Sequence, residues 1–297
     1  MLNKQTEALF GKLILVGPAF ITLLVFTTGV TDPVNANKFL ALGVISCALV
    51  ALLSFESWKS IWINHRLVTI SLALFIIFSL NSLVQSDAPV SQSLYGVYGR
   101  NNGFLLYLFL AILLFVTLTV ENRNVLKRVI FSIIIAGAVN VIYCGWVLIF
   151  GDFIGWSNPY GNILGTFGNP NFIGAFLGLF ASVLFTAALA SLKKPLYLIG
   201  ILVVAGVTLV EIVKSHAIQG RVLFVLGIVI NVFFFIRSRT RGSTPVVVFS
   251  IVSAIGGAIG LLGTLQIGPA AKFLYKESVS LRGEYWHAGL NMAKNHL

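Results

Sequence analysis

The sequence predicts an all-α, polytopic integral membrane protein, and three observations carry that prediction. Hydrophobic residues make up 58% of the chain and charged residues only 10%, with a mean hydropathy of +0.96, a composition that soluble globular domains do not have. The apolar residues gather into runs close to the ~20 residues a helix needs to cross a bilayer. None of the runs alternates polar and apolar residues as a membrane β-strand does, so backbone polar groups in lipid must be satisfied within helices.

About nine such runs follow one another, at residues 9–30, 38–55, 67–84, 103–120, 129–150, 172–191, 196–213, 222–236 and 246–267. Lys4 and Lys12 flank the start of the first, but no small-x-small cleavage site follows it, so it reads as an uncleaved helix. The second and fifth runs hold the two cysteines, Cys47 and Cys144. Their mid-span positions predict packed thiols and neither a disulfide nor metal ligands. The fourth opens at Gly103, after a polar loop.

The sixth follows the string GTFGNPN at residues 165–171. Pro170 cannot continue a preceding helix, and Asn169 and Asn171 are both good N-cap residues. A helix opened this way presents free N–H groups with partial positive charge, an end suited to an anion. The seventh run contains Glu211, the only acid within a predicted span, one turn before Lys214. An intrahelical pair is the simplest account of it, although an intramembrane acid is also a functional candidate. The eighth run is the shortest, and the ninth closes a bundle over residues 1–267. Residues 268–297 then read as the start of a large extramembrane loop region, on a plausible amphipathic helix that stops at Leu297 without cap or closing span. The chain reads as interrupted there.

The net charge of +11 is distributed as the positive-inside rule expects and not as a nucleic-acid site. With the amino terminus in the cytoplasm, the inner side holds Lys4, Lys12, Lys59, Arg66, Arg123, Lys127, Arg128, Lys193, Lys194, Arg237, Arg239 and Arg241. The outer side holds Lys38, Arg100, Lys214, Arg221, Lys272, Lys276, Arg282 and Lys294. From Lys214 onward the outer face turns basic against the orientation rule. Contact with lipid headgroups accounts for single cases, and an anionic ligand accounts for the group.

Three outer segments concentrate polar chemistry. The loop 85–103, with the string YGRNNG, sets Arg100 between turn-forming glycines, and its guanidinium fork suits phosphate. The connection 211–221 crowds Lys214, Ser215, His216, Gln219 and Arg221 around Gly220, which predicts a sharp turn. His216 is a weak candidate for a general base, since an interfacial histidine is more often only hydrogen-bonded. The tail spaces Arg282, Trp286 and Leu290 at i, i+4, with Met292 on the same plausible amphipathic helix.

YGRNNG, GTFGNPN opening a span, the polar turn with Gly220 and Arg221, and the R-x-x-x-W-x-x-x-L-x-M tail occur in that order. Together they resemble the O-antigen ligase and O-antigen polymerase-related superfamily of bacterial inner-membrane proteins, from about Tyr95 to the end. The resemblance implies a GT-C-like bundle. It also implies metal-independent, cofactor-free, inverting transfer of a glycan from an undecaprenyl-diphosphate carrier to a periplasmic acceptor: lipid A-core, another glycan or a protein.

Carried over residue by residue, Arg221 and Arg282 match the family's diphosphate-binding arginines, with Arg100 and Lys214 as further cations. Gly168, Asn169, Asn171, Gln219 and Trp286 shape the site. The family arginine directly follows a serine, whereas Ser215 stands six residues before Arg221, which makes Lys214 the substitute. The family's catalytic histidine lies beyond Leu297, neither His287 nor His296 takes its place, and the chain as it stands is expected to be inactive as a transferase. A secondary transporter or flippase-like carrier is the alternative, although no internal repeat is visible. A non-catalytic membrane scaffold is the third reading.

Overall fold

A computed structural model describes residues 4–26, 32–118, 123–155, 158, 161–240, 242–265, 267–274, 285, 288–289 and 291–294. The described residues are mostly helical and contain no strand. In chain order the helices are α1 (Lys4–Leu23), α2 (Asn35–Ala51), α3 (Phe55–Asn64), α4 (Arg66–Val84), α5 (Val90–Tyr95), α6 (Phe104–Thr117), α7 (Arg123–Phe150), α8 (Pro170–Ala190), α9 (Pro195–Lys214), α10 (Ile218–Arg239), α11 (Thr244–Thr264) and α12 (Ala271–Leu274). A single 3-10 turn, Gly165–Phe167, precedes α8.

Each apolar run of the sequence contributes a helix. Among the described residues, α4, α7, α8, α9, α10 and α11 are long and apolar enough to cross a membrane. The run at 38–55 does not end as one straight rod. It breaks after Ala51, and α3 leaves at 95° to α2, so the pair makes a seventh crossing only if the broken helix is one span. Ser54 caps the new helix, its hydroxyl accepting from Ser57 N–H at 3.2 Å. The apolar parts of α1 and α6, Leu9–Leu23 and Phe104–Thr117, are shorter. The chain is a membrane-embedded helical protein. The eighth run is longer than its hydropathy indicated, because α10 starts at Ile218 and takes in Gln219, Gly220 and Arg221.

The chain divides into two compact units, Met1–Val225 and Leu226–Leu297. The first contains two apolar clusters. One joins Val141 and Cys144 of α7 to Ile173, Leu177 and Phe180 of α8 and Ile212 of α9. The other joins Phe10 and Ile14 of α1 to Leu49 of α2, Ile61 of α3 and Val116 of α6. Both cysteines are free, Cys144 buried and Cys47 exposed.

Lipid tails are as apolar as these side chains, so helices associate through close packing and hydrogen bonds rather than water expulsion. Both devices are present. α1 lies against α7, where Ala19 N–H donates to the buried Ser132 hydroxyl at 2.8 Å; Pro18 stands just before it inside α1. The Phe180 ring rests on Gly137, where a Cβ would overlap it. The second unit holds the rest of α10, α11 and α12, with α11 packed on α12.

Candidate functional site

The GTFGNPN segment is pinned from several sides. Gly165 and Gly168 hold φ of +55° and +63°, values open to glycine and strained for most other residues. Space adds to that requirement: a Cβ at Gly165 would strike the Ile173 side chain, and one at Gly168 would stand 2.8 Å from Val34 Cγ2. Between them the buried Thr166 is the keystone. Its N–H donates to Asn140 Oδ1 at 2.9 Å, and its hydroxyl lies 3.1 Å from that same oxygen and 2.9 Å from Thr22 O. Asn140, wholly buried in the middle of α7, is anchored in turn by donating to Ala136 O at 3.0 Å.

Lys38, in the first turn of α2, completes the cluster. Its ammonium donates to Thr22 O at 2.5 Å and to Thr166 O at 2.7 Å. It also stands 4.6 Å from the centroid of the Phe167 ring, a cation–π contact. The turn is thereby tied to α1, α2 and α7 at once. Asn169 is the N-cap of α8, its side chain accepting from Asn171 N–H at 2.9 Å, with Pro170 at the first helical position. Of the two asparagines fitted to cap the helix, Asn169 does so and Asn171 is the donor it satisfies.

Beside this turn lies the connection from α9 to α10, only residues 215–217 long. A Cβ at Gly174 would stand 2.8 Å from both Ser215 Oγ and Ala217 Cβ, and a Cβ at Gly178 would overlap Gly220 O. The Gly-x-x-x-Gly spacing of α8 brings the backbones of α8 and α10 into direct contact. Gly220 therefore lets two helices approach and does not make the sharp turn expected of it. The turn is made by Ser215, whose buried hydroxyl donates to Ile212 O at 2.8 Å and accepts from Ala217 N–H at 3.3 Å, and by His216 in a left-handed conformation with φ +55°. Lys214, His216 and Arg221 are exposed, while Gln219 is half-buried.

The YGRNNG loop joins the same end of the bundle. Asn35, at the start of α2, donates to Gly99 O at 2.7 Å. Asp32 Oδ1 accepts from Val34 and Asn35 N–H, both at 2.9 Å. Arg100 N–H and Asn101 N–H both donate to Val97 O, at 3.0 and 3.1 Å, and the Arg100 side chain is exposed. A chain of contacts thus runs from Gly99 through α2 and Thr166 to Asn169, and across Gly174 to the 215–217 connection. It gathers Arg100, Gly168, Asn169, Asn171, Lys214, His216, Gln219 and Arg221 at one end of the first unit. None of Arg100, Lys214 and Arg221 has an acidic partner among the described residues. Arg282 and Trp286 lie outside the described residues.

Glu211 overturns its sequence reading. It is wholly buried, and neither carboxyl oxygen has a hydrogen-bond partner among the described residues. Lys214 is exposed, so the intrahelical pair does not form. The acid points instead toward α7, where Gly145 leaves room for it: a Cβ there would stand 3.6 Å from Oε1. Lys38, one of the outer basic residues, turns out to brace the turn, and Asn140 stands in no motif of the sequence. Asn140 could have been found as a lone amide inside an apolar run, a costly placement unless hydrogen-bonded.

Chemically, this end offers three exposed cations, a capped helix start and a rigid glycine-shaped wall, an arrangement suited to an anionic group at the edge of a membrane. The described residues gather no cluster of three His, Cys, Asp or Glu side chains that could hold a metal ion. No family model matches the sequence, and comparison with curated proteins and with solved structures returns no match.

Proposed function

We propose that the chain is an O-antigen ligase-like membrane glycosyltransferase component of the bacterial inner membrane. Its amino terminus is cytoplasmic and its working face is the end that carries Arg100, Lys214 and Arg221. It takes an undecaprenyl-diphosphate-linked glycan as donor and a periplasmic glycan, lipid A-core or protein as acceptor. The observation that carries the reading is the convergence of YGRNNG, GTFGNPN and the Lys214–Arg221 connection at one end, with their cations lacking an acidic partner among the described residues.

The physical logic is charge stabilisation. A departing lipid diphosphate develops negative charge, and guanidinium groups fixed near an apolar boundary stabilise it more than they would in water. Glycine contacts and hydrogen bonds hold the backbone that carries these cations. The test is transfer from a fluorescent lipid-diphosphate-linked glycan, using protein that carries the whole reading frame. Arg221→Ala is expected to lower transfer by about tenfold or more, the equivalent of ~1.4 kcal/mol per decade, at unchanged expression. Undiminished transfer by Arg221→Ala and Arg100→Ala together overturns the reading.

Glu211 favours a second reading. A buried acid without a partner inside a span is a common mark of ion-coupled carriers. Counterflow of a labelled solute in proteoliposomes that is lost in Glu211→Gln, with no glycan transfer by the parent protein, would establish a secondary transporter instead.

A further inference from the structure

Helices α4, α5 and α6 flank an open groove of about 590 Å³, within the ~300–1,000 Å³ typical of small-molecule sites. None of the basic residues of the rim lines it. α4 contributes Phe75, Phe78, Ser79, Ser82 and Leu83, at the i, i+3, i+4, i+7 spacing that brings residues onto one helix face, and Ser86 follows just past its end. The face changes character along its length. Two phenylalanines hold one end and serines the end near Val84, over roughly 12 Å at 1.5 Å per residue. α5 adds Gln92 and Ser93 at the polar end, and α6 adds Tyr107 at the apolar end. The Tyr107 ring meets Phe75 edge-on, with centroids 6.1 Å apart.

Three properties select the ligand. No charged side chain lines the groove. The hydroxyls of Ser82 and Ser93 and the amide of Gln92 make no hydrogen bond to any described residue, so their donors and acceptors are unspent. The aromatic rings supply flat apolar faces next to those polar groups. We infer that this groove binds a neutral, polyhydroxylated head group, a sugar, joined to a hydrocarbon chain.

Sugar hydroxyls donate and accept at once, as serine hydroxyls and a carboxamide do. The C–H face of a pyranose is apolar surface for an aromatic ring, and the attached chain continues along Phe75, Phe78 and Tyr107. A phosphate or ammonium would meet no counter-charge here, and placing one in a partly apolar groove is costly. The inference stands on the lining alone. It holds whether or not the chain transfers glycans, and a glycolipid bound here need not be a substrate.

The experiment uses the full chain in phosphatidylcholine nanodiscs and an octyl glucoside carrying a diazirine on its alkyl chain. Labelled residues are located by mass spectrometry. Labelling is expected within residues 75–107, reduced about tenfold by excess unlabelled octyl glucoside and unchanged by lysophosphatidylcholine of equal chain length. The double variant Ser82→Ala/Gln92→Leu is expected to lose about fivefold of the labelling, the scale of one or two hydrogen bonds, with its melting temperature kept. Gln92→Glu, which puts an unpaired charge in place of the amide, is expected to lose as much. Competition by free glucose as well would identify the sugar head alone as sufficient, and competition by octyl glucoside only would identify a glycolipid; both uphold the assignment. Equal competition by lysophosphatidylcholine, or labelling unchanged in both variants, overturns it and leaves a slot filled by any lipid.

Discussion

The GTFGNPN turn and the Lys214–Arg221 segment meet across Gly174, yet they are built on opposite plans. The turn is buried and built on uncharged hydrogen bonds: Thr166 bonds to Asn140 and Thr22, and Lys38, which also reaches it, spends two donors on carbonyl oxygens. The neighbouring segment fixes its backbone with Ser215 and with the contact between Gly178 and Gly220, and leaves Lys214, His216 and Arg221 exposed. The difference teaches a division of labour. Shape at this rim comes from glycines and uncharged hydrogen bonds, and charge is presented outward on top of that shape. Mutations in the two classes should therefore separate, one set changing stability and the other changing ligand binding.

The sharpest way to break this comparison is Gly178→Leu. A side chain there overlaps the Gly220 backbone, and overpacking against backbone is expected to cost about 3 kcal/mol, read as a lowered melting temperature in detergent. Gly206→Ala is its control, because a Cβ at Gly206 meets nothing within 4 Å, and it should be neutral or stabilising by up to ~1 kcal/mol. Next comes Asn140→Ala, which strands the buried Thr166 N–H. It should cost roughly 1–3 kcal/mol, measured in the same melt.

Arg221→Ala and Lys214→Ala are expected to stay within about 0.5 kcal/mol of the parent in stability while weakening retention of a diphosphate lipid. A large loss of stability in either would erase the distinction between shape and charge. The smallest effect is at His216. Its left-handed backbone is costly for a side chain with a Cβ, so His216→Gly should raise stability by at most ~1 kcal/mol, and any loss would mean that the imidazole itself holds the turn.

Much of this was legible in the sequence. The apolar runs located the helices because lipid permits few alternatives to a helix. Pro170 and Asn169 marked the start of α8, because a ring-fixed φ and a side-chain acceptor are local requirements. What could not be read depended on partners far along the chain. Asn140 and Thr166 are 26 residues apart, and Thr166 and Lys38 are 128 apart. Neither spacing leaves a periodic trace. Gly220 was mistaken for a turn residue because a glycine needed for close approach and one needed for positive φ are the same letter. Glu211 was assigned to its helical neighbour because the i, i+3 rule counts spacing, whereas Gly145 on another helix decides where the acid points.

The most direct test of the central claim is whether the three motifs share one exposed face of the membrane. Single cysteines at Arg100, Asn171 and His216, in a Cys47→Ala/Cys144→Ala background, would be treated in intact cells with a thiol reagent that cannot cross the membrane. The account predicts that all three react from outside, each without permeabilisation. Reaction of any one of them only after the membrane is opened would place the motifs on different sides and contradict it.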